Sequence, residues 1–271
     1  MRKIRFLFPV LSMVTLTIVS CSKEDVIAAS DTTPVMASVS IDVVNELDVQ
    51  TGTQISFDKL TSKKTEKSLT GSCAVVTMDP QTTTFPKTFY VNFGEECITK
   101  GITRKGKLKI TFSNYITITG STMTIERVDY FVNGNKVEGK IVYKNTTITQ
   151  DVPQWTRTIT EGKFTNTKGE VYLNSGTHTI KQTAGAKTLS LDDNSYEMTD
   201  GTHTVTKTNG VKITLTVLET IVKNYSCDYI SKGQVKVESK LLNGVIDYGN
   251  GDCDNKATYT TQNGIAFPIT L

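Results

Sequence analysis

The chain predicts an all-β fold, an extended antiparallel meander or a sandwich, on three observations. Threonine makes up about a sixth of the residues, and its branched side chain suits a pleated, half-exposed strand better than a helix interior. Strict alternation recurs: Leu108, Ile110 and Phe112 fall on one side, Lys107, Lys109 and Thr111 on the other, and Val211, Ile213, Leu215 and Val217 make a second such face. Asn-Gly pairs begin at Asn133, Asn209, Asn243, Asn250 and Asn263, the dipeptide that best tolerates the positive φ angles of a two-residue hairpin turn. No stretch has the pattern of a long amphipathic helix, which argues against a parallel βαβ architecture.

At the N-terminus, Arg2, Lys3 and Arg5 precede an apolar run from Phe6 to Val19 that is broken by Pro9, Ser12, Thr15 and Thr17. The run is too short and too hydroxylated to span a bilayer and reads as a secretory signal over residues 1–20. Ile18-Val19-Ser20-Cys21 then resembles the lipobox of bacterial lipoproteins, which implies that Cys21 is acylated and becomes the first mature residue. An ordinary signal followed by a buried or disulfide-bonded Cys21 is the competing reading. Ser22-Lys23-Glu24-Asp25 resembles the surface-export segment of Bacteroidota lipoproteins, with a plain polar spacer as its alternative. Asp31-Thr32-Thr33 is similar to the three-residue O-glycosylation site of the same phylum, with Thr32 as the acceptor. The expected location is therefore the outer membrane, lipid-anchored and facing the cell surface, with the periplasmic leaflet as the alternative.

The three basic residues of the leader account for the whole excess of 30 Lys and Arg over 27 Asp and Glu. The chain from Cys21 onward is formally neutral, so no net basic field exists to recruit nucleic acid or anionic lipid. The membrane partner is expected to be reached through the acyl chains, two of which suffice for stable anchoring.

Residues 21–38 are small, polar and unpatterned and read as an acylated flexible tether. Val39 to Val49 reads as either a strand or a short helix, and Thr61 to Lys67 as a polar loop. Residues 39–271 are expected to form one all-β ectodomain. Its pseudo-repeat halves are placed at about 70–150 and 170–271.

Two internal similarities organise the β region, one local and one longer, and the longer one suggests those halves. Gly176-Thr177-His178-Thr179-Ile180-Lys181 returns 25 residues later as Gly201-Thr202-His203-Thr204-Val205-Thr206, as if a hairpin unit had been duplicated. Cys73, Val91-Asn92-Phe93-Gly94 and Cys97 are matched by Cys227, Ile246-Asp247-Tyr248-Gly249 and Cys253. With Cys21 assigned to lipid, four cysteines remain in an oxidising compartment, and three pairings exist. The repeat favours Cys73 with Cys97 and Cys227 with Cys253.

Gly101 to Ile110, and the ending from Asp247-Tyr248-Gly249 through Cys253-Asp254-Asn255 to Leu271, resemble β-rich Bacteroidota lipoproteins to which no activity is attached. The resemblance implies location and fold and leaves the function open.

Asp247, Asn250, Asp252 and Asp254 cluster hard oxygen ligands around two glycines and form the candidate Ca²⁺ loop. The spacing departs from an EF-hand, and a glycine-rich turn pinned by a disulfide is the competing reading; no other cofactor is indicated. His178 and His203, equivalent in the local repeat, would share a metal if their hairpins stacked, and otherwise are packed histidines. Glu126, Asp129, Glu138, Asp192 and Asp193 are carboxylates from which a glycosidase pair would have to come. Trp155, beside Pro153 in an expected loop, either packs or stacks on a sugar. The Arg104, Lys105, Lys107 and Lys109 stripe reads as a solvated strand face. No G-x-S-x-G, HExxH or P-loop occurs, so no catalytic residue is assigned. The expectation is a surface lipoprotein that binds a glycan or protein ligand or serves as a structural component. The alternative is a carbohydrate-active enzyme or its accessory glycan-binding subunit.

Overall fold

The computed structural model describes residues 31–61, 68–69, 71–149 and 151–271. The leader, Cys21 and the Ser22-Lys23-Glu24-Asp25 segment lie outside the described residues. Thirteen strands form one antiparallel sheet in strict sequence order. They are β1 (Val75–Met78), β2 (Lys87–Thr99), β3 (Ile102–Phe112), β4 (Thr122–Val132), β5 (Asn135–Asn145), β6 (Gln154–Thr165) and β7 (Val171–Ala184). The second half continues with β8 (Ser195–Lys207), β9 (Lys212–Asn224), β10 (Lys232–Glu238), β11 (Gly244–Asn250), β12 (Lys256–Thr261) and β13 (Ala266–Thr270). The meander anticipated from turn signals and alternation is therefore present as a single open sheet, with β1 and β13 as its two edges.

One element departs from the expectation. Residues Thr33–Ile55 form a 23-residue α-helix, α1, continued by a π-helical turn over Ser56–Thr61. The helix starts inside the segment read as a tether and replaces the strand or short helix expected at Val39 to Val49. Pro34 sits in its first turn, where a missing N–H costs nothing. Its interior is rich in β-branched residues of modest helix propensity. It holds because no residue from Thr33 to Leu60 is exposed and Val35, Val39, Ile41 and Ile55 are buried to 3 % exposure or less. A helix with no exposed residue needs no single apolar stripe and carries apolar residues around most of its circumference, with a few paired polar ones.

The sheet supplies that cover. Leu108, Ile110 and Phe112 of β3, Met123 and Ile125 of β4, Ile141 of β5, and Ile213 and Leu215 of β9 all lie on the inner face and are buried. Gly52 lets the helix approach β4 closely, since a methyl group there would sit 2.4 Å from Met123 Sδ. The long strands are bent near their middles. Register shifts fall at Lys105/Lys107 between β3 and β4, Glu138/Lys140 between β5 and β6, and Ile159/Gly162 between β6 and β7. The series continues at Thr179/Ile180, Met198/Thr202 and Lys232/Gln234. Such bulges bend and twist a strand locally, and a succession of them lets one sheet curl around one helix.

The disulfides are Cys73–Cys97 and Cys227–Cys253, the pairing that the repeat favours. The first joins the segment before β1 to β2. The second spans β10, tying the loop after β9 to the turn after β11. The longer similarity has a local structural meaning. Gly94 and Gly249 both have positive φ, and their N–H groups donate to Asn92 Oδ1 at 3.0 Å and Asp247 Oδ1 at 2.7 Å. The aromatic residue between, Phe93 or Tyr248, is turned into the core. The shorter repeat lies on consecutive strands, with Gly176 opposite His203 and His178 opposite Gly201. The repeated unit is thus one strand with its turn, and its copies face each other antiparallel instead of forming two stacked hairpins.

Candidate functional site

Beyond the leader the chain contains three arginines, Arg104, Arg127 and Arg157, and all three point inward at α1. The helix carries three carboxylates, Asp42, Glu46 and Asp48, and no basic residue. Arg104 of β3 donates to Thr51 Oγ1 at 2.8 Å and to the Leu47 carbonyl at 3.2 Å, with its guanidinium 4.9 Å over the Phe93 ring. Arg127 of β4 donates to Asp48 Oδ2 and Asn45 Oδ1, each at 2.8 Å, while Tyr130 Oη donates to Asp48 Oδ1 at 2.7 Å. Arg157 of β6 pairs with Glu46. His203 of β8 places Nδ1 3.1 Å from Asp42 Oδ1. Successive strands therefore meet successively earlier turns of the helix.

Burial sets the protonation states along this seam. Burial alone would push the Asp42 carboxyl up, but His203 first, then Arg157 and His178, hold it below the ordinary carboxylate range. His178 is pushed down to about 3, by desolvation and then by the Arg157 guanidinium, whose Nη2 lies 3.4 Å from His178 Nδ1. The rings of His178 and His203 do approach, with centroids 6.3 Å apart and edge to face. A guanidinium against one imidazole opposes a bound cation, and among the described residues no group of three or more His, Cys, Asp or Glu is placed to hold a metal.

A concavity lies at the end of the sheet that carries both disulfides. It measures about 330 Å³ and is walled by Gln50, Thr51 and Gln54 of the helix, by Lys100 and Arg104, and by the loop around Tyr225 and Asp228. Ser72 lies beside Cys73, and Ser226 and Asp228 flank Cys227, so the two bridges pin both lips. Lys100 Nζ reaches Asp228 Oδ1 at 2.9 Å, joining the β2–β3 turn to the loop after β9. Gln50 Nε2 donates to the Tyr225 carbonyl at 2.9 Å, and Tyr225 Oη donates to Gln54 Oε1. Behind the loop, Lys223 is buried, with its pKa pushed down to about 8 by desolvation, and it donates to the carbonyls of Asn224 and Cys227. The result is a polar cleft with amide, hydroxyl and charged groups on a braced rim.

The other residues singled out in the sequence fall elsewhere. Asp247 lies in β11 with both carboxylate oxygens engaged, Oδ2 by Gln234 Nε2 at 2.7 Å and Oδ1 by the Gly249 N–H. Asp254 Oδ1 accepts from the Lys256 N–H at 3.2 Å, while Asn250 and Asp252 are exposed. Thr32 is half-buried at the N-cap of α1, its carbonyl accepting from Val35 and Met36. Glu126 pairs with Lys109 at 2.8 Å and Glu138 with Lys163 at 3.2 Å, while Asp129 and Asp193 are exposed. Trp155 is on β6 and not in a loop; it is buried, stacked on Tyr143 at 5.6 Å, and donates Nε1–H to the Ile116 carbonyl at 3.1 Å. It packs and is not offered to a sugar. The Arg104 to Lys109 stripe divides: Lys107 and Lys109 face outward, and Arg104 turns in. The helix side of the cleft was not anticipated, because α1 itself was not.

Comparison of the chain with protein-family models, with curated proteins and with solved structures finds no match.

Proposed function

We propose that this protein is a lipoprotein held in the outer membrane through Cys21, and that its cleft at the disulfide end binds a small polar ligand, a glycan unit or a peptide. The observation that carries the binding reading is the cleft of about 330 Å³ whose two lips are each pinned by a disulfide. Ligand sites are concave, mostly preformed and oriented by a few fixed polar groups, and loops on a rigid scaffold are the usual carriers of such sites. Gln50, Gln54, Tyr225 and Lys100 supply amide, hydroxyl and ammonium groups suited to a neutral, hydroxyl-rich or amide-rich partner. The anchor reading is supported by the Ile18-Val19-Ser20-Cys21 motif behind its basic, apolar leader.

A carbohydrate-active enzyme is the second reading, favoured by one feature: Asp192 and Asp228 line the same cleft. A glycan and peptide array probed with the full chain is expected to give hits that Gln54→Ala and Lys100→Ala abolish, without turnover of the bound glycan. Hits unaffected by both substitutions would place binding elsewhere. Release of reducing sugar that Asp192→Asn stops would favour the enzyme. Metabolic labelling with a fatty acid is expected to mark the wild type and not Cys21→Ala; equal labelling would sink the anchor. Protease shaving of intact cells is expected to remove the ectodomain, and full protection would indicate the periplasmic leaflet.

A further inference from the structure

The sheet and helix also enclose a small cavity of about 20 Å³, separate from the cleft. Four of the side chains that line it come from four elements and carry unpartnered polar atoms: Asp42 of α1, Arg157 of β6, His203 of β8 and Tyr248 of β11. Arg157, His203 and Tyr248 are each at least nine-tenths buried. Asp42 Oδ1, Arg157 Nε, both ring nitrogens of His203 and Tyr248 Oη have no hydrogen-bond partner among the described residues. Asp42 Oδ1 and His203 Nδ1 are 3.1 Å apart but poorly aligned for a hydrogen bond. Buried polar groups in native proteins are almost always satisfied, and a cluster around one cavity calls for a shared partner.

We infer that this cavity is the binding site of one structural water molecule that bridges the helix to three strands. The volume exceeds the 10–15 Å³ or so that a single water requires. The chemistry of the walls selects water over an ion. Arg157 Nε–H and Tyr248 O–H are donors, Asp42 Oδ1 is an acceptor, and the His203 ring nitrogens add a further polar edge. Water, with two donors and two acceptors, matches that set. A halide would accept from Arg157 and Tyr248 but would face the Asp42 carboxylate. An ammonium would satisfy Asp42 and leave the Arg157 and Tyr248 donors unpaired beside a positive charge. Two further polar residues in the wall are already engaged by Arg157, Glu46 as its ion-pair partner and His178 through Nδ1, and the remainder, including Leu215, Ile221 and Val235, is apolar. The water makes Tyr248, far along the chain, part of the seam that seats α1. That role explains why the Asp-Tyr-Gly segment turns its aromatic ring inward.

The test is high-resolution diffraction from crystals of the full chain, with a parallel bromide soak. The expected result is one ordered light-atom peak within about 2.7–3.2 Å of at least three of the four side chains, with no anomalous signal after bromide. An anomalous peak at that position would overturn the assignment in favour of an anion, and a cavity without density would overturn it outright. Tyr248→Phe keeps the ring packing and removes one donor; the peak is expected to be lost or displaced toward Asp42. An unmoved peak in that variant would show that Tyr248 is not a ligand and would refute the four-partner site. The wild-type map decides the question even if the variant does not fold.

Discussion

Asp48 is fully buried, yet one of its oxygens receives Arg127 and the other receives Tyr130. A buried pair of this kind gains little over an apolar pair, because desolvation offsets the attraction, but removing one partner strands a charge. Asp48→Ala is therefore expected to lower stability by about 3–5 kcal/mol in a urea titration. The double variant Asp48→Leu with Arg127→Met is expected to recover most of that loss. A cost for Asp48→Ala under about 1 kcal/mol, the range of an exposed pair such as Lys187–Asp151, would show that the seam does not hold the helix. His178 carries the pH dependence at this scale. Its folded pKa of about 3 lies below the ordinary 6.5, so between those values the unfolded chain binds a proton that the native chain refuses. Stability is then complete above about pH 6.5 and falls on acidification towards pH 3, with a slope of up to about 1.4 kcal/mol per pH unit from this one group. Asp42, whose pKa is lowered, adds a loss in the same direction as pH falls below the unfolded carboxyl value of 3.8. His178→Gln is expected to flatten the profile between pH 6 and 4 in denaturation curves taken across that range. An unchanged profile would mean that His178 titrates normally.

Among the elements, the bent strands and the helix depend on each other. Gly139 has φ +100, and a Cβ there would meet the Glu161 carbonyl oxygen at 2.6 Å. Gly139→Ala is therefore expected to strain the β5–β6 bulge and lower stability by more than about 1 kcal/mol, read as a fall in melting temperature, whereas a neutral outcome would show that the bend is not fixed by this residue. The element scale also separates what was legible in the sequence from what was not. Alternation and Asn-Gly turns located β3 and β9 because each strand has one wet and one dry face, the situation in which period-2 patterning is strongest. Helix α1 escaped because none of its residues is exposed, so Val35, Val39, Ile41 and Val44 make no apolar stripe set off against a solvated face. Arg104 was assigned to the solvated stripe although it shares parity with Leu108 and Ile110. That parity was the available signal that it faces inward, where it meets Thr51.

At the level of the whole molecule, an open thirteen-stranded sheet has too much inner surface to close on itself, and α1 fills it. The helix also provides one wall of the cleft through Gln50, Thr51 and Gln54, so the proposed binding site exists only while the helix is seated. The disulfide pairing was legible because the Asn-Phe-Gly and Asp-Tyr-Gly segments share one local turn. The cleft was not, since its residues come from segments up to 181 positions apart, from Leu47 to Asp228. The claim on which both the fold and the site rest is that this helix, weak in intrinsic propensity, is the centre of the core. Native-state amide hydrogen exchange on the full chain tests it most directly, because protection reports the opening free energy of each segment. The amides of Ile41 to Thr51 are expected to exchange as slowly as those of Leu108, Ile110 and Ile213, only by global unfolding. Exchange of the helix well before those strands would contradict the account, because it would mean that the sheet persists without α1.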